Sequence, residues 1–69
     1  MNQFLIKRVR QMKGMSQLEF SKALGVSRSL IAQVEGGYIN PSDDLVEKIR
    51  EFVGDDFINA VKALMEVQK

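Results

Sequence analysis

Apolar residues recur along this chain at helical spacing, and no stretch shows the two-residue alternation of a half-buried strand. Phe4, Leu5, Ile6, Val9 and Met12 form one helical stripe, with Lys7, Arg8 and Lys13 off it and Gly14 placed to end the helix. Ser16 stands where a second helix begins. Glu19, three residues on, completes a capping box, and Leu18, Phe20, Ala23 and Leu24 are its apolar positions. Gly25 supplies the turn. Ser27 then opens a third helix that runs to about Glu35, with Leu30, Ile31 and Val34 facing inward. Gly36 and Gly37 stop it, and a loop follows from Tyr38 to Pro41. Ser42 caps a fourth helix whose first turn carries Asp43 and Asp44, as the helix dipole favours; Leu45, Val46, Ile49, Phe52 and Val53 are its apolar set. Gly54 ends that helix. Asp55 reads as the cap of a fifth, with Phe57, Ile58, Val61, Leu64, Met65 and Val67 apolar. The pattern predicts an all-α chain: a single domain over residues 1–69, with helices at about 2–13, 17–24, 28–35, 43–53 and 55–68.

Composition narrows the chemistry. The chain has 69 residues and neither Cys nor His. A chain of this size buries only about 60% of its unfolded surface, so the core must be small. There is no thiolate, no disulfide and no imidazole, the commonest metal ligand and general base. The acidic residues fall at helix starts rather than in a cluster. No metal, no cofactor and no enzymatic activity are expected. No basic-then-apolar leader and no apolar run near ~20 residues appear, which predicts a cytoplasmic, nucleoid-associated protein without a membrane span. Charge is uneven. Residues 1–35 carry six cations against Glu19 and Glu35, a net of +4; residues 36–69 carry four cations against seven acids, a net of −3. A basic half of this kind suits a polyanion.

The stretch from Gln17 to Gly36 makes the sharpest claim. Two short helices that cross near a small residue, turn at a glycine, and expose a polar second helix have the shape that enters the major groove of B-DNA. The chain supplies each part: Gln17 at the start of the first helix, Ser21 at the crossing, Gly25 at the turn, Phe20, Leu24, Val26, Ile31 and Val34 as anchors, and Arg28, Ser29, Ala32 and Gln33 on the outer face.

In these residues the chain resembles the Cro/CI-type (Xre) helix-turn-helix family of phage and bacterial regulators. SQLEFSKALGVSRSLIAQVEGG follows that family's S-Q-x-E-L-A, G-V-S and I-x-x-x-E-N-G pattern, and the likeness extends over about residues 3–53 through NPSDDLVEKI. The resemblance implies a compact five-helix, lambda-repressor-like DNA-binding domain with its helix-turn-helix at about 17–36. It also implies roles. Arg28 is shaped for the O6/N7 edge of guanine and Gln33 for the N6/N7 edge of adenine. Ser29 bonds to a base or a phosphate, and Ala32 meets a thymine methyl. Gln17 meets a phosphate at a helix N-terminus. Ser27, Asn40 and the peptide N–H groups of the Gly36–Tyr38 loop match backbone-contacting positions. Tyr38 is either loop packing or a phosphate donor. Arg10 and Glu35 match a pair that the family joins by a salt bridge.

Two departures stand out. Phe20-Ser21 replaces the usual Leu-Ala, so a hydroxyl near the crossing needs a partner. Gly36-Gly37 replaces the usual Asn-Gly and removes a side-chain donor. The tail, residues 55–69, is the candidate pairing surface. With Phe57, Val61 and Leu64 in the core, Ile58, Met65 and Val67 are left as an exposed apolar strip for a homodimer; otherwise the helix caps the core or holds another protein. The expected function is a sequence-specific transcriptional regulator, a phage or mobile-element repressor that binds double-stranded DNA at a two-fold operator. The alternative is an antitoxin or anti-regulator acting mainly through a protein partner.

Overall fold

The computed structural model describes residues 1–67 and contains five helices: α1 Gln3–Met12, α2 Gln17–Leu24, α3 Arg28–Glu35, α4 Asp43–Val53 and α5 Asp55–Val67. No strand occurs among the described residues. The expected end of the fifth helix at residue 68 lies outside them.

Caps explain where the helices start. Asn2 Oδ1 accepts the Leu5 N–H at 2.8 Å, a cap not evident from the apolar pattern. Ser16 Oγ accepts from the Glu19 N–H at 3.1 Å while Glu19 Oε1 accepts from the Ser16 N–H at 2.9 Å, closing the capping box. Hydrogen bonding from the Ser16 backbone N–H, and less from its hydroxyl, holds the Glu19 carboxyl below its ordinary pKa. Ser27 and Ser42 cap α3 and α4 in the same way, each at 3.1 Å, and a serine cap is worth about 1 kcal/mol. Gly25 follows α2 at φ 70 and ψ 32, a left-handed conformation that costs a residue with a Cβ about 1–2 kcal/mol. The start of α5 differs from expectation. The Gly54 carbonyl accepts the Ile58 N–H at 3.2 Å, so Gly54 occupies the cap position and Asp55 is already helical. The Asp55 carboxylate instead accepts two bonds from Arg50, at 2.9 and 3.2 Å.

The helices pack as α2 on α3 and α4, α1 on α3 and α5, and α4 on α5. Phe20, Ile6, Ile31, Val9, Val34, Leu45 and Ile49 fill the centre, with Leu5, Leu24, Val53, Ile58 and Val61 around them. The Ser21 hydroxyl, buried near the helix crossing, donates to the Leu18 carbonyl at 2.7 Å and so meets the demand raised by its replacement of alanine. The Phe52 ring meets Phe20 edge to face with centroids 6.2 Å apart, although Phe52 itself remains partly in solvent.

Several positions of the apolar stripes lie outside the core. Phe4 is 64% exposed, and Met12 and Leu18 are about half exposed. The largest change is in α5. Ile58, expected on an exposed strip, is 7% exposed and belongs to the core; Leu64, expected in the core, is 47% exposed. The reason is angular. At about 100° per residue, Ile58, Val61 and Met65 fall within one arc of roughly 60°, while Phe57 and Leu64 lie on its flank and Val67 beyond them. The outward apolar residues of α5 are therefore Leu64 and Val67, with Met65 half-buried.

Candidate nucleic-acid interface

The candidate interface is the outer side of α2 and α3. Ile31 and Val34 anchor α3 in the core and Leu30 is half-buried beside them. On the opposite side, Arg28, Ala32, Ser29 and Gln33 share an arc of roughly 140° at helical periodicity. Arg28, Ser29 and Gln33 are exposed and Ala32 is half-buried between them. Gln33 follows Arg28 by five positions, roughly 7.5 Å along the axis at 1.5 Å per residue, or about two base-pair steps.

The expected phosphate positions divide into two groups. Ser27, Asn40 and Tyr38 are exposed, Tyr38 at 83%. Ser27 Oγ already accepts from Leu30 N–H, which leaves its O–H to donate. The Tyr38 ring lies against Gly36: a Cβ on Gly36 would come within 2.7 Å of Tyr38 Cε2. The glycine that replaces the usual asparagine thus leaves room for the tyrosine. Gln17 is half-buried, and its Nε2 donates to Glu35 Oε1 at 3.3 Å, so its amide already has an internal partner.

One expectation is corrected. The peptide N–H groups after α3 do not face outward as phosphate donors. Gly36 N–H donates to the Ala32 carbonyl at 2.9 Å, Gly37 N–H to Val34 at 3.1 Å, and Tyr38 N–H to Gln33 at 3.0 Å. They satisfy the last carbonyls of the helix, whose dipole there is negative and repels an anion.

Arg10 and Glu35 form a two-armed ion pair. Nε donates to Oε2 at 2.8 Å and Nη2 to Oε1 at 2.9 Å, with Arg10 11% and Glu35 3% exposed at the side chain. Arg10 Nη1 also donates to the Met15 carbonyl at 2.8 Å, a contact the sequence did not signal. One guanidinium therefore ties α1 to the entrance of α2 and the end of α3.

The basic half of the sequence does not gather on this face. Arg10 is spent on Glu35. Lys13 sits 4.3 Å above the Phe57 ring on α5. Lys7 and Arg8 line a shallow groove of about 230 Å³ with Phe4, Gln11 and Met65, at the α1–α5 side. Of the six cations in residues 1–35, Lys22 and Arg28 are the two carried by α2 and α3. No group of acidic residues arranged to hold a metal occurs among the described residues, and no helix there is long and apolar enough to cross a membrane.

A helix-turn-helix family model matches residues 6–54, which covers α2, α3 and α4 and most of α1. Neither the curated proteins nor the solved structures searched gave a match. The fold is the helical one that this family builds, and the family is one of DNA-binding regulators. With a capped α3 presenting Arg28, Ser29 and Gln33 beside α2 and its Gly25 turn, and with the family model spanning well over half of its residues, the chain belongs to the Cro/CI-type (Xre) helix-turn-helix family of DNA-binding transcriptional regulators.

Proposed function

We propose that this DNA-binding regulator is a repressor of phage or mobile-element type that occupies a two-fold operator as a homodimer and blocks a promoter sterically, within the cytoplasm on the nucleoid. The observation that carries the reading is the outward face of α3: Arg28, Ser29 and Gln33 are exposed, on one side, and held by a helix whose other side is buried. In this reading Arg28 and Gln33 take base edges, Ala32 and Ser29 fill the groove between them, and Gln17, Ser27, Tyr38 and Asn40 hold the backbone. The need for a dimer follows from size. One such helix reads only a few base pairs, and two must lie about 34 Å apart to read one face of the duplex. Support for pairing through α5 comes from Leu64 and Val67, at 47% and 82% exposed, beside half-buried Met65.

The test is selection of bound duplexes from a randomised pool at ~150 mM salt, where sequence-independent phosphate binding is weak. Arg28→Ala/Gln33→Ala protein is the control. A two-fold motif that the control loses is the expected result. No enrichment from folded protein overturns the reading in favour of an antitoxin or anti-regulator whose α5 strip holds a protein partner.

A further inference from the structure

Glu35 has a third contact that its ion pair with Arg10 does not require. Its Oε1 accepts both Arg10 Nη2 at 2.9 Å and Gln17 Nε2 at 3.3 Å. Gln17 is the first residue of α2, at a helix N-terminus whose free N–H groups favour an anion. A glutamine amide offers a donor end and an acceptor end, and an ionised carboxylate only accepts. Glu35 therefore selects the orientation of the Gln17 amide: Nε2 turns toward the carboxylate and keeps one hydrogen for an outside acceptor. Released from Glu35, the amide is free to flip, and its Oε1 would then meet a phosphate oxygen lone pair to lone pair. A bare carboxylate beside a phosphate would repel it, but Arg10 neutralises Glu35 through two short bonds. The same guanidinium fixes the Met15 carbonyl, one residue before the α2 cap.

We propose that Glu35, oriented by Arg10, is a positioning residue for DNA binding: it aims the Gln17 amide donor at a backbone phosphate and locks that anchor to the end of the base-reading helix. This rests on the reading that Gln17 meets DNA.

The experiment compares Gln17→Met in two backgrounds, the natural chain and Arg10→Met/Glu35→Leu, in which the ion pair is replaced by apolar side chains of similar size. Affinity for the selected duplex is read by fluorescence anisotropy at a temperature where circular dichroism shows all four proteins folded. In the natural background Gln17→Met should weaken binding about tenfold, the worth of one hydrogen bond to a charged group. In the apolar background the same change should weaken it less than about twofold, because the amide is no longer aimed. An equal loss in both backgrounds would show that Glu35 only supports the fold, and overturns the proposal. No loss in the natural background overturns the phosphate role of Gln17 as well, and no binding by the natural chain overturns the functional reading itself. Should the apolar background not fold, the natural chain still decides the matter by NMR. One of the two Gln17 Nε2 protons should be protected from exchange with water; equal, rapid exchange of both refutes the proposal.

Discussion

Cutting one side of the Arg10–Glu35 pair is the most demanding test of how this small fold is held. Arg10→Met leaves the Glu35 carboxylate, 3% exposed, without its cation; Glu35→Leu leaves the guanidinium, 11% exposed, with the Met15 carbonyl as its remaining partner. Stranding a buried charge costs about 3–5 kcal/mol. At roughly 0.05–0.15 kcal/mol per residue, a chain of 69 residues has about 3–10 kcal/mol of stability in total. Either single substitution should therefore remove a third or more of it, and in the lower part of that range the protein unfolds. Arg10→Met should be the worse of the two, because Glu35 is the more deeply buried and the bond to the Met15 carbonyl is lost as well, with the neutral Gln17 amide left to the carboxylate. The double variant Arg10→Met/Glu35→Leu should recover most of the loss, since no charge is left unpaired and the apolar side chains fill similar space. Urea unfolding followed by circular dichroism measures this directly. The midpoint should fall sharply in each single variant and return in the double, with the slope unchanged. Single variants within about 0.5 kcal/mol of the natural chain would refute the argument, because the pair would then be acting like a solvent-exposed one.

Other expectations follow from the same contacts. Arg28→Ala should relax base preference at one operator position at a cost of about 1–3 kcal/mol, and Gln33→Ala should do so at a position about two base pairs away; selection profiles of the two variants separate them. Hydrogen bonding to Arg50 holds the Asp55 carboxyl below its ordinary pKa, so the folded chain takes up this proton less readily than the unfolded chain. The resulting stability is complete above the unfolded value, about 4, and disappears as pH falls through the lower folded one. Asp55→Asn should accordingly flatten the acid side of the melting-temperature profile, and an unchanged profile would remove this contact from the account. Leu64→Lys/Val67→Lys should abolish self-association in sedimentation while leaving thermal stability close to that of the natural chain, because neither side chain is in the core: Val67 lies largely and Leu64 about half in solvent.

The helix boundaries were legible because their causes are local. Ser16, Ser27 and Ser42 each accept from an N–H three residues ahead, and Gly25 needs no neighbour to adopt its positive φ. The outward face of α3 was legible for a related reason: Ile31 and Val34 fix which side is buried, and periodicity then places Arg28, Ser29 and Gln33 opposite. At Gly54 and Asp55 the local signal is weak: the pattern favours Asp55 as the cap, but Arg50 claims its carboxylate and the cap lies one residue earlier.

Five helices, the serine caps of α2, α3 and α4, and the polar face of the recognition helix are fixed along the chain, because each depends on residues within one or two turns of each other. Tertiary structure decided which apolar residues the small core had room for. It buried Ile58 and left Phe4 largely and Leu64 about half in solvent, since a helix in contact with two neighbours hides only part of a wide apolar stripe. It also decided what the charged groups do. Arg10 reaches the Met15 carbonyl as well as Glu35, Lys13 is laid on Phe57, and the Gln17 amide is tied to Glu35. Periodicity can put a side chain on a face, but its partner there belongs to another helix, and the distance between helices is set by packing.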